Sequence, residues 1–185
     1  ALLLFPIALP TLFSSHTKIF GFSLFLWTAT VGLSKREIVS LRNEFTNHYI
    51  ALPAVVIYKD ALESITAHRK KADRIVVISG ASDWIVKKIF NYIGLKQMEI
   101  IGSKETRFVW GMVSKFHCFA SKKVYSVNKH LNVRLYSNIV GYSDSATDIP
   151  ILTLCNERII VNPNESSLAK FKKRFGHQMT VVNWA

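Results

Sequence analysis

The 185 residues predict an α/β fold, a parallel sheet crossed by helices and preceded by an apolar helical segment. Three observations carry the prediction. From Asp73 onward, short apolar runs alternate with stretches of helical period, the pattern of strands joined by crossover helices. The runs are continuous and β-branched, as in Ile75-Val76-Val77-Ile78, which marks strands buried on both faces. Charge is segregated: residues 1–34 hold one charged residue, Lys18, and 23 of the 24 Lys and Arg residues follow it.

The elements follow in order. Residues 1–13 and 19–33 are apolar runs, the first interrupted by Pro6 and Pro10. Each is shorter than the roughly 20 residues a membrane-crossing helix needs, and no basic segment or small-residue cleavage site marks a secretory signal. Two readings stay open for them, buried helices or an apolar hairpin in a membrane interface. Ser34 and Glu37 have capping-box spacing, so a helix is expected from Lys35 through Tyr49. A second is expected from Ala54 to Lys70, its end marked by the basic run 68–71. Then come a strand at 74–79, a helix from Asp83 to Gly94, strands at 98–101 and 108–113, and a helix at 121–131. A strand at 136–142, a helix at 148–155, a strand at 158–161, a basic helix at 166–175 and a strand at 180–184 complete the chain.

Composition narrows the function classes. With 49% apolar and 12% aromatic residues the chain has the material for a core, which excludes global disorder. Cys118 and Cys155 are its two cysteines, without zinc-ligand or disulfide spacing, and a reducing compartment fits them best. The net charge of +12 raises nucleic acid as a partner. The cations are scattered over several helices, however, and the densest cluster, Lys170, Lys172, Lys173 and Arg174, is accounted for by a solvated or membrane-facing helix. No nucleic acid is expected.

In an open parallel sheet, ligands bind beyond the carboxyl ends of the strands. Ser79 and Gly80 end one apolar run, and a hydroxyl with free amides there suits a phosphoryl oxygen, although Ser-Gly after a strand is more often a plain turn. Asp144 follows another strand, with Asp148 one helical turn on. Two carboxylates so spaced suit a magnesium ion, and equally they suit a helix cap and its dipole. Lys123 opens a helix, where it would neutralise phosphate charge or simply be solvated.

Together these residues resemble three motifs of the haloacid dehalogenase-like phosphatases. Val76-Val77-Ile78-Ser79-Gly80-Ala81-Ser82 is similar to the second motif, Cys118 to Val124 to the segment bearing the lysine of the third, and residues 142–152 to the fourth, with Ser143 where Gly is common. Val161-Asn162-Pro163 and residues 181–184 resemble the close of the phosphoserine-phosphatase-like subfamily. Within it, residues 26–34 and 135–145 are most similar to the phosphatidylglycerophosphatase C group. The resemblance implies a Rossmann-like core at 72–185 and a helical cap at 1–71. It implies Mg²⁺ held by Asp144 and Asp148, phosphate bound by Ser79, Gly80 and Lys123, and hydrolysis through an aspartyl-phosphate. The first motif, DxDxT, which carries the nucleophile and the general acid, does not occur in the chain. It is expected upstream of Ala1, so that these residues alone would be inactive; the alternative is a remnant that has lost catalysis and binds phosphate or docks on membranes. An apolar cap beside a basic body suits a lipid phosphate such as phosphatidylglycerophosphate at an anionic membrane, on the cytoplasmic face of the inner membrane. A soluble, cytoplasmic phosphomonoesterase is the other enzymatic reading.

Overall fold

The computed structural model describes residues 18–185, with side chains from Phe20 onward; the apolar run 1–13 lies outside the described residues. In chain order the elements are α1 (Lys18–Thr30), α2 (Lys35–Ile50), α3 (Lys59–Lys70), β1 (Val76–Ser82), α4 (Asp83–Tyr92), β2 (Glu99–Phe108), β3 (Gly111–Phe116), α5 (Ser121–His130), β4 (Val140–Ser143), α6 (Ile149–Leu152), β5 (Glu157–Val161), α7 (Glu165–Phe175) and β6 (Thr180–Val182). The strands form two sheets, β1-β2-β3 and β4-β5-β6. No helix among the described residues is long and apolar enough to cross a membrane. The chain divides into two compact units, Ala1–Val55 with Ser79–His117, and Val56–Ile78 with Cys118–Ala185. The expected division after Lys71 falls inside the second unit.

In the first unit, α2 begins where the capping box places it: Glu37 N–H donates to Ser34 Oγ at 3.3 Å, and Ser34 N–H to Glu37 Oε2 at 2.7 Å. Strands β2 and β3 pair antiparallel, Phe108 opposite Gly111, so this sheet is not purely parallel. The strand expected at 108–113 is therefore a correction: Val109 and Trp110 form the two-residue turn of the hairpin, at φ 40° and 61°. Their β-branched and aromatic side chains favour a strand locally, but Trp27 overrides that preference, its indole N–H donating to the carbonyls of Phe108 and Val109 at 3.1 Å each. Gly111 is required beneath it, because a Cβ there would lie 2.5 Å from Trp27 Cδ1.

The same unit contains a closed polar cluster on Glu105, whose carboxylate accepts from Arg42 Nη2 at 2.5 Å, Ser82 Oγ at 2.5 Å and Trp84 Nε1 at 3.0 Å. The Arg42 guanidinium also lies over the Trp84 ring, 4.9 Å from its centroid. Burial pushes the Glu105 carboxyl up, but the three hydrogen bonds and the Arg42 charge together outweigh it and leave it below the ordinary value. A carboxyl lowered by folding contributes stability that is present above its unfolded pKa and lost as the pH falls through the folded one. Thermal melts should accordingly show acid destabilisation beginning in the ordinary carboxylate range, and Glu105→Gln should lower the midpoint at neutral pH while making it less pH-dependent there. An unchanged acid limb in Glu105→Gln would remove Glu105 as its source.

The second unit is built on three parallel strands, β4 pairing β5 from Val140↔Glu157 to Ser143↔Ile160, and β5 pairing β6 from Ile159↔Thr180 to Val161↔Val182. Leu152, Cys155, Ile160, Phe171 and Phe175 form its core, with Ile139, Ile149 and Met179 packed around them. Helix α3 starts five residues later than expected. Pro53 and the β-branched run Val55-Val56-Ile57 disfavour helix, and the actual start is tied to distant chain: Lys59 N–H donates to the Ala185 carbonyl, and Ala185 N–H to Asp60 Oδ2 at 2.7 Å. At its other end His68 bonds Asp73 Oδ2 at 2.7 Å through Nδ1 and the Tyr142 hydroxyl at 2.9 Å through Nε2.

Candidate active site

Strand β4 ends at Ser143, and Asp144 follows at the carboxyl edge of the parallel sheet. A 3-10 turn over Ala146–Asp148 then leads into the short helix α6, with Pro150 in its first turn where a missing N–H costs nothing. This connection lies close against the strand because Gly141 has no side chain: a Cβ there would sit 2.5 Å from Cys155 Sγ and 2.8 Å from Leu152 Cδ2. Both neighbours belong to the buried core, so α6 and the aspartate before it are held in place.

Helix α5 brings Lys123 to the same point. Its ammonium donates to Asp148 Oδ1 at 2.6 Å, and Ser143 Oγ donates to Asp148 Oδ2 at 3.0 Å. Both charged side chains are largely withdrawn from solvent. Each oxygen of Asp148 therefore already accepts a hydrogen bond, which defines its orientation. Asp144 is different: it is exposed and has no hydrogen bond or ion pair to any described residue. Beneath the site, burial pushes the Cys118 thiol up, more than its hydrogen bond from Ser126 and the nearby Lys123 charge lower it.

Of the residues singled out from the sequence, Lys123 and Asp148 are joined in the second unit, and Asp144 follows Ser143, which bonds Asp148. Ser79 and Gly80 belong to the first. They lie within β1 rather than at its end, since the strand continues to Ser82 and Ser103 Oγ donates to the Gly80 carbonyl at 2.6 Å. Ser79 Oγ accepts the Ala81 N–H at 3.1 Å, which leaves its own proton available for donation. Ser143 is the residue that sequence reasoning undervalued, reading it as a departure from glycine. Its spacing five residues before Asp148 was visible, but nothing local says that its hydroxyl turns toward that carboxylate.

No group of three or more His, Cys, Asp or Glu side chains among the described residues forms a complete metal cage. The donors present still fit magnesium, which takes one or two carboxylates and fills its remaining positions with water and substrate oxygens. Asp144 has the free carboxylate for this. Asp148, with both oxygens engaged, fits as the group that positions Lys123.

The fold and the site define an α/β protein whose lysine–aspartate pair stands at the carboxyl end of a parallel sheet. The chain belongs to the haloacid dehalogenase-like hydrolases: the family's model matches residues 9–153. A histidinol-phosphatase of Neisseria meningitidis is 26% identical over 153 residues, covering 77% of this chain and 66% of that protein. A probable phosphatase of Mycobacterium tuberculosis is 26% identical over 158 residues, covering 82% of this chain and 52% of that protein. The chain thus spans between about half and two thirds of the length of these curated relatives. A crystal structure of a Bordetella pertussis protein of unknown function superposes with a TM-score of 0.68 over 88% of this chain and 73% of that one, at 19% identity, a likeness of fold.

Proposed function

We propose that the complete protein is a phosphomonoester hydrolase acting on a phosphorylated lipid, with phosphatidylglycerophosphate as the best-fitting substrate. The observation that carries the hydrolase reading is the withdrawn Lys123–Asp148 pair, oriented by Ser143 beside the exposed carboxylate of Asp144. Phosphoryl transfer asks the protein mainly for positioned opposite charge, and a lysine held by a carboxylate supplies it without having to reorganise.

In this reading Lys123 offsets the charge of a phosphoryl group approaching a carboxylate nucleophile, and Asp148 keeps its ammonium aimed. Ser79 and Gly80 keep the role the motif resemblance implies, donation to a phosphoryl oxygen. Asp144 would hold Mg²⁺, which supplies further neutralisation of phosphoryl charge when bound. The nucleophile is an aspartate of a DxDxT segment that residues 1–185 do not contain. Its attack on phosphorus forms an acyl phosphate as the alcohol leaves; water then releases inorganic phosphate and restores the carboxylate.

The lipid part of the reading is supported by the uncharged apolar sequence up to Ser34, Lys18 excepted, beside a strongly basic remainder, in the region 1–71 that we assign as the cap. A soluble substrate is favoured instead by the relative named histidinol-phosphatase. Phosphate release by the complete protein from phosphatidylglycerophosphate in mixed micelles, measured beside histidinol phosphate and phosphoserine, separates the two. The expected result is a kcat/KM at least tenfold higher for the lipid. Preference for either soluble ester would replace the lipid reading, and no release from any of the three would leave the non-catalytic one.

A further inference from the structure

The first unit carries a second feature that its chemistry does not use. At the turn of the β2–β3 hairpin, Phe108 is 62% exposed, Val109 58% and Trp110 74%. Val31 lies beside them, 40% exposed, where Gly32 N–H donates to the Trp110 carbonyl at 3.1 Å. Three large side chains in succession at a hairpin tip are the reverse of ordinary turn chemistry. A two-residue turn with positive φ at both positions favours Asn-Gly, and a β-branched or bulky residue at positive φ is strained. Here the strained residues are Val and Trp, held by the Trp27 indole and by the Arg107 guanidinium, which donates to the Leu33 carbonyl at 2.6 Å.

Cations lie near the base of this tip. Arg107 is exposed at its base, and Lys35 and Arg36 come two and three residues after Leu33, against one exposed acid in that stretch, Glu37. The nearby Glu105 is neutralised by Arg42. Across the unit, ten Lys and Arg residues stand against five acids. Aromatic side chains on a basic rim are the composition that settles at the boundary between headgroups and acyl chains, the rings in the interface and the cations on anionic headgroups.

We infer that the tip formed by Phe108, Val109 and Trp110, with Val31 beside it, inserts shallowly into an anionic bilayer surface. This deepens the lipid reading above, on which its purpose rests, while its geometry stands on the hairpin alone. A partner protein would need a complementary acidic pocket; the bilayer needs only negative charge and an apolar interior, which the cationic rim and the apolar tip match in that order from base to point.

The test uses the complete protein and vesicles of phosphatidylcholine with and without phosphatidylglycerol. Wild type should sediment with the anionic vesicles, bind the neutral ones at least tenfold more weakly, and dissociate as salt is raised. The double variant Val109→Asn with Trp110→Gly installs the residues the turn prefers. It should melt no lower than wild type yet bind anionic vesicles at least tenfold more weakly, so that lost binding is not lost folding. Brominated acyl chains should quench a component of the tryptophan fluorescence that is missing in Trp110→Phe. Hydrolysis of a soluble phosphomonoester should be unchanged in all variants, which separates failure of this inference from failure of the phosphatase reading. Equal vesicle binding by wild type and the double variant would overturn the inference. So would a wild-type dimer in lipid-free solution that the double variant dissolves and that ignores vesicles, which would make a second copy of the chain the occupant.

Discussion

Lys123→Ala is expected to abolish turnover of the complete enzyme, lowering kcat by three orders of magnitude or more, and to destabilise the second unit as well. The two effects share a cause. Lys123 and Asp148 are both largely withdrawn from solvent and meet at 2.6 Å. Removing one partner of such a pair leaves the other as an uncompensated charge, at a cost of about 3–5 kcal/mol. Asp148 would keep one neutral donor, Ser143, which offsets part of that cost. The catalytic loss is expected because, in the function proposed above, the lost cation is the one that meets phosphoryl charge, in surroundings where water screens little. A double-mutant cycle separates the effects. Lys123→Ala with Asp148→Asn should recover much of the stability, since neither charge is then buried alone, and none of the activity. Recovery of both would make the pair a purely structural contact, and wild-type kcat in Lys123→Ala would remove Lys123 from the site.

Asp144→Asn is expected to be as damaging to catalysis and nearly silent in stability. Its carboxylate is exposed and has no bond to the described residues, so the substitution removes charge without breaking packing. Activity should fall by three orders of magnitude or more with a melting midpoint unchanged within a degree or two, and Mg²⁺ binding to the substrate-free protein, read by calorimetry, should weaken at least tenfold. Asp148→Asn should show the opposite balance, a lowered melting midpoint with smaller direct loss of metal affinity. If Asp144→Asn bound magnesium and turned over normally, the assignment of the free carboxylate as the metal ligand would be wrong, and Asp148 would have to take that role despite its two engaged oxygens.

The end of the second unit was legible in the sequence, whereas the strand expected at 136–142 forms only over Val140–Ser143 and the helix expected at 148–155 only over Ile149–Leu152. The β-branched run 158–161 and the amphipathic helix after it fall within a residue of β5 and α7, because burial on both faces of a strand and one face of a helix leaves a periodic trace. The capping box of Ser34 and Glu37 set the start of α2 for the same kind of reason: both partners lie within one helical turn. Lys123, Asp144 and Asp148 were each findable as chemistry-bearing types next to strand ends or helix starts. That Asp148 binds the lysine while Asp144 stays free was not, since the separation of 25 residues between Lys123 and Asp148 is closed only by the packing of α5 and α6.

The sequence by itself determined the α/β class and the family, and it marked the residue types of the candidate site, because these follow from hydrophobic period and from motifs whose members are neighbours in the chain. Tertiary structure decided three things that the local sequence left open or opposed. It turned Val109 and Trp110 from a strand into a hairpin tip, through two hydrogen bonds from Trp27, 81 and 82 residues earlier. It delayed α3 to Lys59 and bound its first turn to Ala185. It gave Ser143 to Asp148, converting an apparent irregularity in a motif into the group that orients a carboxylate. In each case the deciding partner lies outside the segment, or on a side-chain torsion within it, and a hydrogen bond made there outweighs the few tenths of a kcal/mol to about 1 kcal/mol by which local preferences differ.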